Sequence, residues 1–183
     1  VVSACIDKGA MMVYAGQELG DRGMDAEGFS GIDGRTSIFD YWHLPSLHKI
    51  ATNAPLSYEE KSLSDYYHHL LTMLNKQEAL RKGKFYDLMY ANYDNTQGLN
   101  PNRHYAFMRK YGKQTLLIVA NFSNESTHIG VRIPSHAFEY LGLIPGLKNA
   151  QDLLSGELST LNLQRDQFVH IDLPLNGAAI ISF

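Results

Sequence analysis

A single cysteine, Cys5, leaves the 183-residue chain without an internal disulfide, so its redox compartment stays open. No apolar run approaches the length of about 18 residues that a bilayer-spanning helix needs. Neither sign of charge predominates. The formal net charge of −3 offers no basic field to hold nucleic acid or an anionic membrane. The opening Val1-Val2-Ser3-Ala4-Cys5 has no initiator Met and no positively charged n-region, so it reads as the cut edge of a longer chain and not as a signal peptide. P-loop, dinucleotide fingerprint and serine nucleophile elbow are all missing. No metal site is assigned: the acidic stretches lack the D-x-D-x-D-G order, and His43 and His48 have no Cys or third His nearby. His68 and His69 are adjacent, so on a helix they point in different directions. With 44% hydrophobic and 11% aromatic residues, what remains is an ordinary globular chain, long enough for one core or for one domain plus a fragment of another.

The stretch Gly9-Ala10-Met11-Met12-Val13-Tyr14-Ala15-Gly16-Gln17-Glu18-Leu19-Gly20 organises the N-terminal part. Met11–Ala15 has the length and unbroken apolarity of a strand buried on both faces, although a buried helix has the same pattern. Gly16 then turns the chain without a Cβ clash, which puts Gln17 and Glu18 just past the strand's end. Before it, Val1 to Asp7 reads as the tail of a helix. After it, residues 19–34 are dominated by Gly20, Asp21, Gly23, Asp25, Glu27, Gly28, Gly31, Asp33 and Gly34, which makes a loop longer than usual connections. Tyr41, Trp42 and Leu44, then Pro45, are expected to pack its far end onto apolar surface.

Ser57 and Glu60 form a capping box, and Leu63, Tyr66, Tyr67, Leu70, Leu71 and Leu74 follow on one helical face. Arg81 and Lys82 suit a helix C-terminus and Gly83 suits a left-handed C′ position, so one helix is expected from Tyr58 to Lys82. Beyond Gly83 the period falls to two. Strands are expected at Arg103–Arg109, Thr115–Phe122 after a turn at Tyr111-Gly112-Lys113, Thr127–Ile133, and a last pair, Phe168–Leu173 and Ala178–Phe183, joined across Pro174-Leu175-Asn176-Gly177. Weaker strand candidates are Tyr86–Tyr90, Phe138–Leu143 and Gln151–Leu154. Short strands with regular turns indicate an antiparallel Greek-key β-sandwich over residues 84–183, within an α+β chain whose first part covers 1–83.

Gly9 to Glu18 resembles the eighth-strand motif of the α-amylase family of glycoside hydrolases, G-x-P-x-x-x-x-G-x-E. Gly9, Gly16 and Glu18 match it, and Met11 stands where that family usually has proline. Gly34-Arg35-Thr36-Ser37-Ile38-Phe39-Asp40-Tyr41-Trp42 is similar to the family's R-x-x-x-x-W segment, and a long helix and a β-rich tail follow in the family's order. The resemblance implies that residues 1–83 are the last β/α segment of a TIM (β/α)8 barrel and that residues 84–183 are the C-terminal β domain.

The resemblance also implies which chemistry is missing. The family's nucleophile, acid and transition-state-stabilising Asp lie on barrel strands four, five and seven, so no residue here matches a catalytic position. A complete barrel takes about 250 residues, which agrees. Glu18, Asp21, Asp25, Glu27 and Asp33 include enough carboxylates for a catalytic pair, but their plainer role is to solvate a glycine-rich loop. Gln17, Glu18, Arg22, Arg35 and Trp42 are the candidate cleft residues, with Gly9 and Gly16 as structural turns. Glu18 is expected to orient neighbours at the barrel mouth, direct sugar contact being the alternative. Gln17 offers both donor and acceptor to sugar hydroxyls. Trp42 is divided between stacking on a sugar and plain packing, and Arg22 between substrate and solvent.

The parent is then a retaining glycoside hydrolase, or a glycosyltransferase of that family, acting on starch and other α-glucans, and this chain is inactive alone. Its expected partners are an α-glucan oligosaccharide bound through the parent, the missing barrel, and a second copy held through exposed apolar surface of the N-terminal segment. Calcium is an option for the parent, with no site for it here. Two other readings remain: a stand-alone carbohydrate-binding module using Tyr90, Tyr93, Tyr105 or Tyr111, and a non-catalytic structural domain.

Overall fold

The computed structural model describes residues 1–21 and 45–183. They divide into two compact units, Val1–Ala10 with Thr72–Phe183, and Met11–Leu71. The first unit contains helix α1 (Val2–Cys5), and the second contains α2 (Pro45–Ala51). Helix α3 (Tyr58–Lys76) is followed by α4 (Glu78–Lys82), β1 (Lys84–Asp87), β2 (His104–Tyr111), β3 (Gln114–Asn121) and β4 (Thr127–Ile133). Helix α5 (Ser135–Leu141) then precedes β5 (Gly146–Asp152), β6 (Leu158–Leu163), β7 (Gln167–Leu173) and β8 (Ala178–Ser182).

The strands form a six-stranded sheet in the order β1-β2-β3-β8-β5-β6 and a two-stranded sheet of β4 and β7. Every pairing is antiparallel. Alternation decides which side chains meet. Ile129, Val131 and Ile133 of β4 and Val169, Ile171 and Leu173 of β7 share one core with Ala106, Met108, Leu117 and Val119 of the larger sheet. On β3, Leu116, Ile118 and Ala120 are buried too, although they point away from that core. The middle of the larger sheet is therefore covered on both faces, which is why Leu116–Ala120 is a continuous apolar run instead of an alternating one.

Two chain crossings between the sheets run side by side. The β3–β4 connection and the Pro174–Gly177 connection are tied by Asn176 N to Ser123 O at 2.8 Å and Asn121 N to Gly177 O at 2.8 Å. Asn121 is the hub. Its amide donates to Glu125 O at 2.8 Å and Pro174 O at 2.9 Å, and its carbonyl accepts from Ser123 N at 2.9 Å and Ser123 Oγ at 2.7 Å. A buried amide with all four positions filled is at its hydrogen-bonding capacity. This is why β7 and β8 are not the hairpin pair expected from sequence: β7 pairs with β4, and β8 with β3 and β5.

Other expectations are corrected. Met11–Ala15 is assigned to no strand, and Met12 is 81% exposed. A strand exists by pairing, and among the described residues the Met11–Leu71 unit contains no strand to pair with it. The expected single helix to Lys82 breaks at Gln77 (φ −90°, ψ 105°). Gln114, at the start of β3, accepts from Ala79 N at 2.8 Å and donates to the Gln77 side chain, so a tertiary contact caps α4 where propensity alone would continue the helix. Phe138–Leu143 is not a strand but most of α5, with Ala137, Phe138 and Leu141 buried and Gly142 left-handed at φ 64°. Asp166 caps α5 from a distance through Ser135 N at 2.9 Å and Ser135 Oγ at 2.5 Å. The Tyr86–Tyr90 candidate is β1 followed by a 3₁₀ turn at Met89–Ala91, and β6 is a strand not anticipated.

Gly83 is extended (φ −71°, ψ 160°), not left-handed. Its need for glycine is steric, since a Cβ there would stand 2.1 Å from Ala79 O and 2.8 Å from Lys110 O. The carbonyls that a left-handed cap would satisfy are taken by Arg109 of β2, which is 1% exposed. Its guanidinium donates to Leu80 O at 2.7 Å and Gly83 O at 3.2 Å, and to Cys5 O at 3.2 Å and Ile6 O at 2.8 Å. Burial pulls its pKa down from the usual arginine value, but the group stays charged. Arg109→Met is expected to lower the unfolding free energy by about 3–5 kcal/mol, because buried carbonyls at two helix ends lose their donor. Arg109→Lys should recover only part of that, since an ammonium cannot span both ends. Urea midpoints measure this, and a Lys variant as stable as the parent chain would refute it.

Candidate functional site

The turn after Ala15 is built as the sequence demands. Gly16 is left-handed at φ 83°, and a Cβ there would lie 2.7 Å from Asp21 Oδ2. Leu19 N and Asp21 N both reach Gly16 O at 3.0 Å, closing a 3₁₀ turn over Gln17–Leu19. Gly9 differs: a Cβ there would meet only Asp7 Oδ2 at 3.5 Å, an ordinary contact.

Gln17 spends both ends of its amide locally. Its Oε1 accepts from Tyr14 N at 3.1 Å and its Nε2 donates to the Tyr67 hydroxyl on α3 at 2.9 Å. Glu18 and Asp21 are half-buried, and Glu18 Oε2 and Asp21 Oδ2 are buried with no hydrogen-bond partner among the described residues. Arg22, Arg35 and Trp42 lie outside the described residues, as do Asp25, Glu27 and Asp33.

Sequence reasoning missed the polar network behind Asp21. The buried Ser46 of α2 places its Oγ 2.9 Å from Asp21 Oδ1 and 2.9 Å from Glu60 Oε1. One hydroxyl proton serves one of these carboxylates at a time. Lys49 Nζ reaches the same Glu60 oxygen at 2.6 Å. Glu60 also completes the expected capping box, its Oε2 accepting from Ser57 N at 2.6 Å while Ser57 Oγ accepts from Glu60 N at 3.2 Å. The capping spacing was visible in sequence, but the partners on α2 were not, because nothing local links residues 46 and 49 to 60.

Cys5 is fully buried, and burial pushes its thiol up to about 11, so it stays protonated near neutral pH. Among the described residues no group of three or more His, Cys, Asp or Glu side chains is arranged to hold a metal ion.

The Lys49 ammonium, then Ser57 N and Ser46, hold the Glu60 carboxyl at about 2, below its ordinary 4.5. A depressed native pKa adds stability that is present above the unfolded value and lost as pH falls through the native one. The window therefore runs from about 4.5 down to about 2. Glu60→Gln is expected to flatten the loss of stability across that window, read as thermal midpoint against pH. An unchanged acid limb would show that Glu60 is not its source.

Residues 94–183 match the family model described as the alpha amylase C-terminal all-beta domain. No curated protein sequence matches the chain. Among solved structures it is similar to AmyP in complex with maltose, with TM-score 0.61 and 13% identity over 98% of this chain and 32% of that one. It is also similar to an Anoxybacillus alpha-amylase, with TM-score 0.52 and 20% identity over 92% of this chain and 28% of the other. A maltogenic alpha-amylase, AmyB from Thermotoga neapolitana, aligns with TM-score 0.54 and 14% identity over 93% of this chain and 32% of that one. The chain thus spans about a third of the length of these structures, and identities this low speak to fold alone. With the antiparallel sheets and the matched model in agreement, residues 94–183 of this chain are an alpha-amylase C-terminal all-β domain.

Proposed function

We propose that the chain is the C-terminal segment of an α-amylase-type glycoside hydrolase acting on α-glucans, and that it is not catalytic by itself. The match of residues 94–183 to the C-terminal domain carries this reading. The Gly9–Glu18 stretch supports it, for Gly16 makes the sharp turn the motif needs, and Glu18 and Asp21 keep carboxylate oxygens without partners among the described residues. In this proposal residues 1–83 are the last β/α segment of the barrel and residues 84–183 the β domain. Glu18, Arg22, Arg35 and Trp42 contribute one wall of the cleft. Gln17 serves that wall as a brace, since both ends of its amide are engaged. The hydrolytic carboxylates belong to barrel strands outside this chain, where a retaining mechanism divides acid and nucleophile between two carboxyl groups.

The decisive assay measures starch hydrolysis by this chain and by a longer chain that includes the preceding barrel. Turnover by the longer chain alone is expected; turnover by this chain alone, or by neither, overturns the reading. Met12 at 81% and Tyr58 at 84% exposure, both in the Met11–Leu71 unit, are surface for which the missing barrel is the proposed cover. Self-association at micromolar concentration is therefore expected in sedimentation velocity, and a clean monomer would count against that cover.

A further inference from the structure

The connection between β1 and β2 lies along β4 and is pinned at both ends. At its front, the buried Asn92 side chain donates to Leu88 O at 2.8 Å and Arg132 O at 3.1 Å, and accepts from Arg132 N at 2.8 Å. At its back, Asn100 N donates to His104 Nδ1 at 2.9 Å, while His104 N and Arg103 N donate to Asn100 O at 2.8 and 2.9 Å. Between the pins the backbone is strained. Asn95 and Gln97 both stand at φ 56°, a left-handed region that suits glycine and tolerates asparagine, so Gln97 carries the larger cost. Gly98 follows at φ 78°, where a Cβ would lie 3.1 Å from His128 O of β4, and a Cβ on Gly130 would lie 2.8 Å from Gln97 Cβ. Strand and connection are thus in close contact. Leu99, fully buried, fills the core between the sheets.

The back pin works in one protonation state only. His104, at the start of β2, is 4% exposed. Because its Nδ1 accepts from a backbone N–H, that nitrogen bears no proton, and Nε2 carries the one that faces Thr127 Oγ1 at 3.3 Å. A second proton would turn Nδ1 into a donor aimed at another donor. We propose that His104 is an acid-operated latch: neutral, it holds residues 93–103 on β4, and its protonation releases them. The surroundings oppose the proton. Burial holds the His104 pKa below its ordinary 6.5, the Asn121 side chain works against that, and the positive Arg103 beside it adds to it. Asn121 of β3 and Thr127 of β4 face the ring uncharged, so neither offers a countercharge to an imidazolium. The unfolded chain takes up the proton near 6.5 and the latched form only below that. Latching is therefore at full strength above 6.5 and weakens as pH falls through the window beneath it. The Glu60 window opens only at about 4.5, so the two acid responses are separable. Release also relieves the left-handed backbone at Gln97.

NMR of this chain between about pH 8 and about pH 5 tests the proposal, read as ring nitrogen shifts and amide hydrogen exchange. At the upper end His104 is expected to show a bare Nδ1 and a protonated Nε2; the opposite tautomer overturns the latch. Below 6.5 the protection factor of the Asn100 amide is expected to fall about tenfold per pH unit, while the amides of Leu117 and Ile118 in β3 hold theirs. Asn100 protection that ignores pH overturns the latch. So does protection that falls together with that of β3, which is global acid unfolding. His104→Asn sets a side-chain oxygen where Nδ1 stands and cannot titrate, so its Asn100 amide should keep one protection factor across the range. A variant that still opens with acid shows that another group is the trigger. If that variant does not fold, the ring tautomer and the Asn100 profile of the parent chain decide by themselves.

Discussion

One buried cation holds the first compact unit together. Arg109 sits in the middle of β2, and its guanidinium ends in backbone carbonyls from three separate places in the chain, residues 5–6, 80 and 83. A charge removed from water is costly unless its hydrogen bonds are remade, and here carbonyl dipoles remake those of the two terminal nitrogens, while Nε is buried without a hydrogen-bond partner among the described residues. The carbonyls gain as much as the arginine does. They close α1 and α4, helices too short to stand without tertiary support. Much else follows from this contact. The two helix ends arrive on one face of the larger sheet, Gly83 has to be glycine because the chain passes so close to Lys110 O, and the face of β3 carrying Leu116 and Ile118 is covered.

The opposite face of the same sheet is governed by Asn121. Wherever a chain passes from one sheet to the other, its backbone leaves the ladder, and its polar groups need new partners in a dry place. Asn121 supplies four of them and joins two crossings that lie about fifty residues apart in sequence. β4 and β7 can then sit together as a pair although neither is consecutive with the other. Arg109 and Asn121 do similar work on the two faces: each replaces missing backbone pairing, Asn121 with its whole amide and Arg109 with both terminal guanidinium nitrogens.

The legibility of the sequence follows from this. Wherever structure is local it could be read: the Ser57–Glu60 box, the turn at Gly112, the strand Thr127–Ile133 and the glycine at Gly16 all appear where their residues place them. The failures fall where a distant group decides. Gln114 stops α3 from running on into α4, Arg109 replaces the left-handed cap at Gly83, and Asp166 starts α5 from thirty-one residues away. For α5 a local signal did exist, in Pro134-Ser135 before it and Gly142 after it, but the apolar Phe138–Leu143 run reads equally as a strand. β6 was missed because Leu158-Ser159-Thr160-Leu161-Asn162-Leu163 buries only Leu161 and Leu163, leaving its alternation short. At the candidate site the position of the turn and the capping role of Glu60 were legible, whereas the contacts of Gln17 to Tyr67 and of Glu60 to Ser46 and Lys49 were not, because those partners lie in other elements.

The two carboxylates at that turn are best understood by contrast with their neighbour. Gln17 has one acceptor and one donor position of its amide engaged, by Tyr14 N and the Tyr67 hydroxyl. Glu18 and Asp21 each keep a buried oxygen with no hydrogen-bond partner among the described residues, and Asp21 shares the single proton of Ser46 with Glu60, which Lys49 already neutralises. Burial strips a carboxylate oxygen of its water, so one without a replacement donor is costly. Two such oxygens follow a turn that only glycine can make, beside an amide engaged in bracing. The turn thus sets a braced amide, Gln17, beside two carboxylates, Glu18 and Asp21, each with a buried oxygen that has no hydrogen-bond partner among the described residues.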